Sequence, residues 1–316
     1  MTIIEKPTEL IISENDTNTR LDVILPRLVP LYSRSFFQKL IKSGKIRLNG
    51  EVNKKVKTNI LQDHIINIEW PVEKNFEIKS EEFIYDILYE DNDLIVIDKP
   101  PGVVVHPAAG NWEGTIVNAL LGKDSSFLDN FTEDEEDLNL NRPGIVHRLD
   151  KDTSGCLIVA KNSLSRQKLS ESFADRKVIK TYFALSCGNP LRNNYEIKTL
   201  IGRHKINRQK MSVVTKNGKE AVTICKVIER GDIGKDKIAL MKINILTGRT
   251  HQIRVHLSHI KLPVLGDSVY GGNQNIPCPR QMLHAGEITF PHPITNKPIS
   301  VISPYPKDFQ DFLDSI

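Results

Sequence analysis

Long apolar runs are missing from this chain, and so is any clustering of cysteine. The longest uninterrupted apolar stretches, such as Leu94-Ile95-Val96-Ile97, are strand-sized, whereas a bilayer-spanning helix needs roughly 20 apolar residues. No membrane span is expected. Met1-Thr2-Ile3-Ile4-Glu5-Lys6 has no basic flank leading into an apolar run, so no secretory signal is visible and a cytoplasmic location is expected. Cys156, Cys187, Cys225 and Cys278 form no Cys-x-x-Cys pair and no dense array. That removes the ligand spacing of a structural zinc and the framework of a disulfide scaffold, and leaves four buried thiols. A chain of 316 residues that is 39% apolar and 26% charged is neither disordered nor fibrous. Its length suggests about two domains, each able to bury a core.

The formal charge of +4 conceals an uneven distribution. Between Arg34 and Lys57 eight bases (Arg34, Lys39, Lys42, Lys45, Arg47, Lys54, Lys55, Lys57) face one acid, Glu51. Between Lys198 and Lys219 seven bases, among them Arg203, Lys205, Arg208 and Lys210, face none. Each block carries +7, which leaves −10 on the remainder. Six of those negative charges fall between Asp129 and Asp137, where consecutive like charges repel, cannot converge on one ion, and read as a solvated loop.

The first basic block sits in a small unit. Leu21, Ile24, Leu25 and Leu28 have helical spacing and stop at Pro30, with Pro26 expected to kink or shorten the helix. Ser33 is placed to cap a second helix with the apolar face Phe36, Phe37, Leu40 and Ile41, ended by Gly44. Asn49-Gly50 between alternating segments then marks a hairpin. Lys39, Lys42, Lys45 and Arg47 cluster around the second helix and the hairpin, as expected of a nucleic-acid surface rather than a solvated helix face. The stretch from Thr17 to Pro71 resembles the helix-helix-hairpin RNA-binding domain shared by a ribosomal small-subunit protein and tyrosyl-tRNA synthetases. The residues that carry the resemblance are Thr19-Arg20-Leu21-Asp22, Ser33-Arg34 and Gly44-Lys45-Ile46-Arg47-Leu48-Asn49-Gly50.

Beyond about Glu81 the pattern changes to short strands: Leu94 to Asp98, Gly155 to Ala160, Thr181 to Ser186, Ala221 to Ile228 and Ile238 to Leu246. Helices are predicted near Ser163 to Ala174, capped by Asn162 or Ser163, and near Thr250 to Ile260. Strands without regular intervening helices argue for an α+β fold on a mainly antiparallel mixed sheet with flanking helices. The expected organisation is an extension at 1–16, the RNA-binding unit at 17–75 and the larger domain at 81–316.

The richest segment for chemistry is Arg142-Pro143-Gly144-Ile145-Val146-His147-Arg148-Leu149-Asp150-Lys151-Asp152-Thr153-Ser154-Gly155. It places acids, bases, hydroxyls and glycines in a loop between apolar runs, where function concentrates. Composition does not choose between Asp150 and Asp152, nor exclude an ordinary turn with Asp150 paired to Arg148.

His147 to Gly155 resembles the defining motif of the ribosomal large-subunit type of pseudouridine synthase, in which the aspartate after Arg-Leu is catalytic. Three further motifs follow the family's order. They are Lys99-Pro100-Pro101-Gly102 through His106-Pro107, Lys180-Thr181-Tyr182, and Leu246-Thr247-Gly248-Arg249-Thr250-His251-Gln252-Ile253-Arg254-Val255-His256-Leu257. His106-Pro107-Ala108-Ala109-Gly110-Asn111 with Gly114 to Leu121 is similar to the members that carry the N-terminal RNA-binding unit and modify a large-subunit rRNA hairpin loop.

That resemblance implies an isomerase acting on ribosomal RNA, with no metal or cofactor, because the reaction involves no redox change and no external group. It implies Asp150 as the catalytic carboxylate. Desolvation beside a base disfavours such a charge, so a cation is needed near it, and the resemblance points to Arg254. If Thr250 to Ile260 is helical, Ile253, Leu257 and Ile260 form its buried stripe, while His251, Arg254 and Ser258 share another face. By resemblance Tyr182 stacks on the extruded uracil and helps to remove the ring proton, and Arg148 enters the vacated stack or pairs with phosphate. His147, Leu149, Thr153, Ser154 and Gly155 are read as shaping the loop, and His106, His251 and His256 as structural or RNA-contacting. Arg203, Lys205 and Arg208 are expected to track phosphates beside the cleft. The chain is expected to act as a monomer. A tRNA or another rRNA site is one alternative substrate. A non-catalytic ribosome-assembly factor is the alternative from another class, against which Asp150, Tyr182 and Arg254 together weigh.

Overall fold

A computed structural model describes residues 7–29, 32, 34–70, 81, 85–107, 111–124, 127, 131, 143–204, 206–207, 210–272 and 275–316. Of these, 7–70 fall in one compact unit and 81–316 in another. Ser33, Asp129 and the acidic residues 133–137 lie outside the described residues, so neither the predicted cap nor the predicted acidic loop is placed.

In the small unit, helices α1 (Leu21–Leu28) and α2 (Arg34–Lys42) pack on a four-stranded antiparallel sheet. Its strands are β1 (Glu9–Ile11), β2 (Ile46–Leu48), β3 (Glu51–Val52) and β4 (Ile65–Ile68), in the order β1-β4-β2-β3. Asn49 and Gly50 both have positive φ (49° and 83°), the two-residue turn that matches strand twist. Pro26 falls inside α1, in its second turn, without ending it; the bond its missing N–H forgoes to the Asp22 carbonyl is offset by the burial of Leu21, Ile24 and Leu25 around it. Leu21, Ile24 and Leu25 of α1 meet Phe37, Leu40 and Ile41 of α2 over Ile46 and Ile66. The stretch read as an extension contributes to this unit: Glu9, Leu10 and Ile11 pair with Asn67, Ile66 and Ile65. Three residues of a half-exposed edge strand carry too little periodicity to be seen in advance.

The large unit is built on one ten-stranded sheet. Its strands are β5 (Asp86–Glu90), β6 (Leu94–Lys99), β7 (Ser154–Ala160), β8 (Ile179–Cys187), β9 (Asn194–Arg203), β10 (Met211–Val214), β11 (Lys219–Ile233), β12 (Asp236–Ile245), β13 (Leu283–Pro291) and β14 (Pro298–Ile302). The order is β10-β9-β11-β12-β8-β13-β7-β6-β5, with β14 on β13, and every pair is antiparallel except β13 with β7. Helices α3 (Ile116–Lys123), α4 (Ser163–Ala174), α5 (Gln252–His259) and α6 (Lys307–Leu313) flank it.

Alternation along the strands divides the core. Ile95, Ile97, Leu157, Val159, Tyr182 and Ile243 share one cluster with α3 and with Ile253 and Leu257 of α5. The intervening Leu94, Val96, Cys156 and Ile158 form another with Leu169 of α4, and Leu185, Leu240 and Met282 a third with Phe309 of α6. Of the two candidate caps Asn162 is the one that serves α4, accepting the Ser165 N–H at 2.9 Å.

Helix α5 departs from expectation twice. It starts at Gln252 rather than Thr250 because His251 adopts the left-handed conformation (φ 56°). It also has no solvated side over its first turns, since Gln252, Ile253, Arg254, Val255, His256 and Leu257 are all buried, while Ile260 is only half-buried. His256 takes up its burial by bonding Thr199 and Thr223 through its two ring nitrogens (2.9 and 2.8 Å).

Candidate active site

The loop ahead of β7 begins at Gly144 (φ 69°), where a Cβ would lie 2.3 Å from the Ala160 carbonyl oxygen. Only glycine fits, and the chain turns there to run back along β7. His147 fixes that course. Its Nε2 accepts the Ile158 N–H at 2.8 Å and its ring stacks on Phe173, and burial, aided by the charge of Lys180, pushes it down to about 3, so it stays a neutral acceptor. The loop closes in a turn in which Thr153 N–H donates to the Asp150 carbonyl at 3.1 Å. Two buried cations hold the next carbonyls: Lys99 Nζ donates to Lys151 O (2.9 Å) and Arg280 Nη1 to Asp152 O (3.0 Å). Gln281 Nε2 donates to Thr153 Oγ1 at 2.9 Å.

This turn presents the Asp150 carboxylate to α5. Arg254 Nη1 donates to Asp150 Oδ2 at 2.9 Å. The other edge of the guanidinium is taken by Asp267, with Nε to Oδ2 at 2.7 Å and Nη2 to Oδ1 at 3.0 Å. Asp267 is 1% exposed and Arg254 6%, and Asp267 Oδ1 also accepts the N–H groups of Val269 and Tyr270 (3.0 and 3.1 Å). The ring of Tyr270 lies 5.0 Å from the guanidinium carbon. Burial by itself would lower the pKa of Arg254, but the pairs with Asp267 and Asp150 outweigh it and raise it. The guanidinium is thus a fixed positive charge aimed at Asp150.

Around these groups lies a pocket of about 390 Å³, lined by Arg148, Asp150, Lys180, Tyr182, His251 and Arg254 among others, a size that takes a nucleoside. Asp152 is not in its lining, and the ion-pair partner of Asp150 among the described residues is Arg254 rather than Arg148, with His251 Nε2 3.9 Å away and its pKa lowered by burial. Tyr182 is buried in the wall. Burial first, and the charge of Asp150 second, push its phenol upward, so the hydroxyl is neutral. His251 is held by Tyr270, whose hydroxyl lies 2.8 Å from Nδ1 and accepts the Met211 N–H at 2.8 Å. Arg148 is exposed at the rim.

The expected RNA-contacting residues divide. Lys39 and Lys42 are exposed and have no carboxylate partner among the described residues, and Arg47 is exposed with Nη1 on Gly50 O. Arg34 instead gives Nε and Nη2 to the buried Asp22 (3.0 and 2.8 Å), and Lys45 pairs with Glu69. Burial opposes the charge on Asp22, but Arg34, Gln38 and Arg20 outweigh it and bring its carboxyl to about 2. Arg203 is exposed at the end of β9, while Lys205 and Arg208 lie outside the described residues.

Asp267 was not singled out from the sequence, although a signal existed: it is the one charged residue between Lys261 and Arg280. The parts played by Lys99 and Arg280 were equally unseen, since both act on carbonyls far away in the chain. A metal is a poor reading of the other polar cluster, Asp91, Asp93 and His292. Asp91 Oδ2 is engaged by Tyr89 and His292, Asp91 Oδ1 by two backbone N–H groups, and His292 Nδ1 by those of Ile294 and Thr295. The cluster ties the β5–β6 turn to the β13–β14 connection.

A sheet of this topology, with a carboxylate on the loop before β7 facing a clamped arginine on α5 and a basic helix-helix-hairpin unit earlier in the chain, matches known proteins. Residues 93–259 match the RNA pseudouridylate synthase family and residues 19–66 the S4 domain. The chain belongs to the RNA pseudouridine synthases. The ribosomal large subunit pseudouridine synthase D of Salmonella typhimurium is 35% identical over 96% of this chain and 93% of its own length. An RNA pseudouridine synthase of Chlorobaculum parvum, described as uncharacterized, is 41% identical over 96% of each. Among solved structures, human RNA pseudouridylate synthase domain containing 1 aligns with a TM-score of 0.57 and 29% identity, over 71% of this chain and 84% of that one.

Proposed function

We propose that this enzyme isomerises uridines of large-subunit ribosomal RNA to pseudouridine, as a single chain in the cytoplasm, without a cofactor. The observation that carries the reading is the Asp150–Arg254–Asp267 array opening on a pocket walled by Tyr182. The relatives named for the large ribosomal subunit, similar over nearly the whole chain, support the choice of RNA.

In the reaction the bond between N1 and C1′ breaks, C5 bonds to C1′, the C5 proton leaves and N1 gains one. Composition and oxidation state are unchanged. Asp150 acts on the nucleoside as an ionised carboxylate, with Arg254 supplying its counter-charge and direction. The ring of Tyr182 supports the uracil. Its neutral hydroxyl can take the C5 proton only while passing its own on, so that step is a relay rather than capture by a phenolate. Arg148, at the rim, fills or braces the gap left by the extruded base. The small unit and the second basic block hold phosphates, which position the RNA without reading its sequence.

The test uses large-subunit rRNA transcribed with [5-³H]uridine, since each turnover releases one tritium. Wild-type protein should release it from that transcript in preference to labelled tRNA. Asp150→Asn should abolish release while binding of the same transcript persists, and turnover by that variant would remove Asp150 from the chemistry.

A further inference from the structure

A second pocket of about 360 Å³ adjoins the one that holds Asp150. It lies between the end of α4, the first residues of β8 and the turn after β12. Phe173, Ala174, Lys180, Ile245, Gly248 and Arg249 line both pockets, so the two share a wall.

Its lining holds three cations, Arg176, Lys180 and Arg249, and no carboxylate. Lys180 stands at the junction. It is half-buried, its ammonium lies 5.6 Å from the centroid of the Phe173 ring, and no carboxylate pairs with it among the described residues. A partly desolvated cation without a counter-charge is costly, and desolvation lowers the pKa of this one. An anion arriving at the junction would relieve that cost. Arg176 is exposed, sits in the left-handed conformation (φ 60°) and likewise has no carboxylate partner among the described residues. Large apolar side chains are exposed on both sides of the same pocket, Ile179 at 59% and Leu246 at 46%. Exposed apolar surface beside cations is what a nucleic-acid base and its phosphate require.

We propose that the second pocket is a nucleotide subsite: it takes the base of a residue adjoining the target uridine, and Lys180 at the junction pairs with the phosphate that links the two. The assignment rests on the reading that the first pocket takes the target uridine. Neither shape nor charge at this pocket requires a particular base, so the subsite adds affinity and strand direction rather than sequence choice.

Competition in the tritium-release assay tests it, with uridine 5′-monophosphate and the dinucleotides UpA and ApU as inhibitors. One dinucleotide should inhibit the wild type at a concentration at least about fivefold below the monophosphate, from the apolar surface that one added base buries on Ile179 and Leu246. In the double variant Arg176→Gln, Leu246→Ser, both of whose side chains line only the second pocket, that advantage should vanish while inhibition by the monophosphate persists. Lys180→Gln should lose the advantage and Lys180→Arg should keep it. Tritium release with no dinucleotide advantage, or an advantage that survives the double variant, overturns the subsite alone. Absence of release from both rRNA and tRNA by the wild type overturns the functional reading and the subsite with it.

Discussion

At the scale of single residues, Arg254 reaches Asp150 with one nitrogen because Asp267 has already taken its other edge. Asp267→Asn would turn an amide donor toward the guanidinium and leave a buried charge half-paired, a defect of about 3–5 kcal/mol. Tritium release at saturating RNA should fall at least fiftyfold with RNA affinity little changed, and an unaffected rate would show that Asp267 does not aim Arg254. Lys99 gives a prediction with a sign. Burial, its largest cause, brings this lysine from 10.5 to about 7. Between those values the unfolded chain binds the extra proton, so stability rises with pH across that window, by up to about 1.4 kcal/mol per unit. The cost of the buried ammonium is complete below pH 7 and gone above 10.5. Lys99→Met should abolish that slope in chemical denaturation. It should also lower tritium release at least tenfold, because Pro100, Val103 and Lys151 lose the donor that their carbonyls share. Asp150, Tyr182 and Arg254 were singled out because each falls in a short motif, and the fold brings the three to one pocket. Asp267 was not, because its meaning is a contact across 13 residues of chain and a helix end.

At the scale of elements, legibility followed local chemistry. The Asn49-Gly50 hairpin and the Asn162 cap are decided within four residues, and both stand where the sequence puts them. Strand β13 was not foreseen: His284, Gly286 and Glu287 interrupt its apolar pattern, and its place is set by partners on both sides, β8 and β7. Helix α5 misled for a similar reason, since periodicity assumes one solvated face and this helix is enclosed. Helix α6 was not predicted, and it bears on the site through Arg280, which gives Nε and Nη2 to Asp308 (2.6 and 2.9 Å) and Nη1 to the Asp152 carbonyl. Burial opposes the charge of Asp308, but Arg280 outweighs it and holds the carboxyl below its usual range. Asp308→Asn should therefore loosen the Asp150 turn from a distance. The expected result is a several-fold fall in tritium release at saturating RNA and a loss of about 1–2 kcal/mol in stability. Full activity would show that the turn is held without α6.

At the scale of the whole molecule, the charge of +4 is a poor guide and its segments are a better one. The structure divides the first basic block further than the sequence could. Arg34 and Lys45 already serve carboxylates, Asp22 and Glu69, whereas Lys39 and Lys42 stand exposed on α2 without one among the described residues. A base that neutralises a phosphate releases a counterion, and each such contact contributes about 0.7 to the slope of log affinity against log salt for single strands and about 0.9 for duplex. Lys39→Gln with Lys42→Gln should therefore flatten the salt dependence of binding to large-subunit rRNA by about 1.5. Lys45→Gln should do so by much less, because that ammonium must first give up Glu69. Filter binding across a range of salt, with tritium release read at saturating RNA, separates the outcomes. A slope unchanged in the double variant would take α2 off the RNA. A matching loss of rate at saturation would mean that this face of α2 acts on the reaction itself and not only on how the RNA is held.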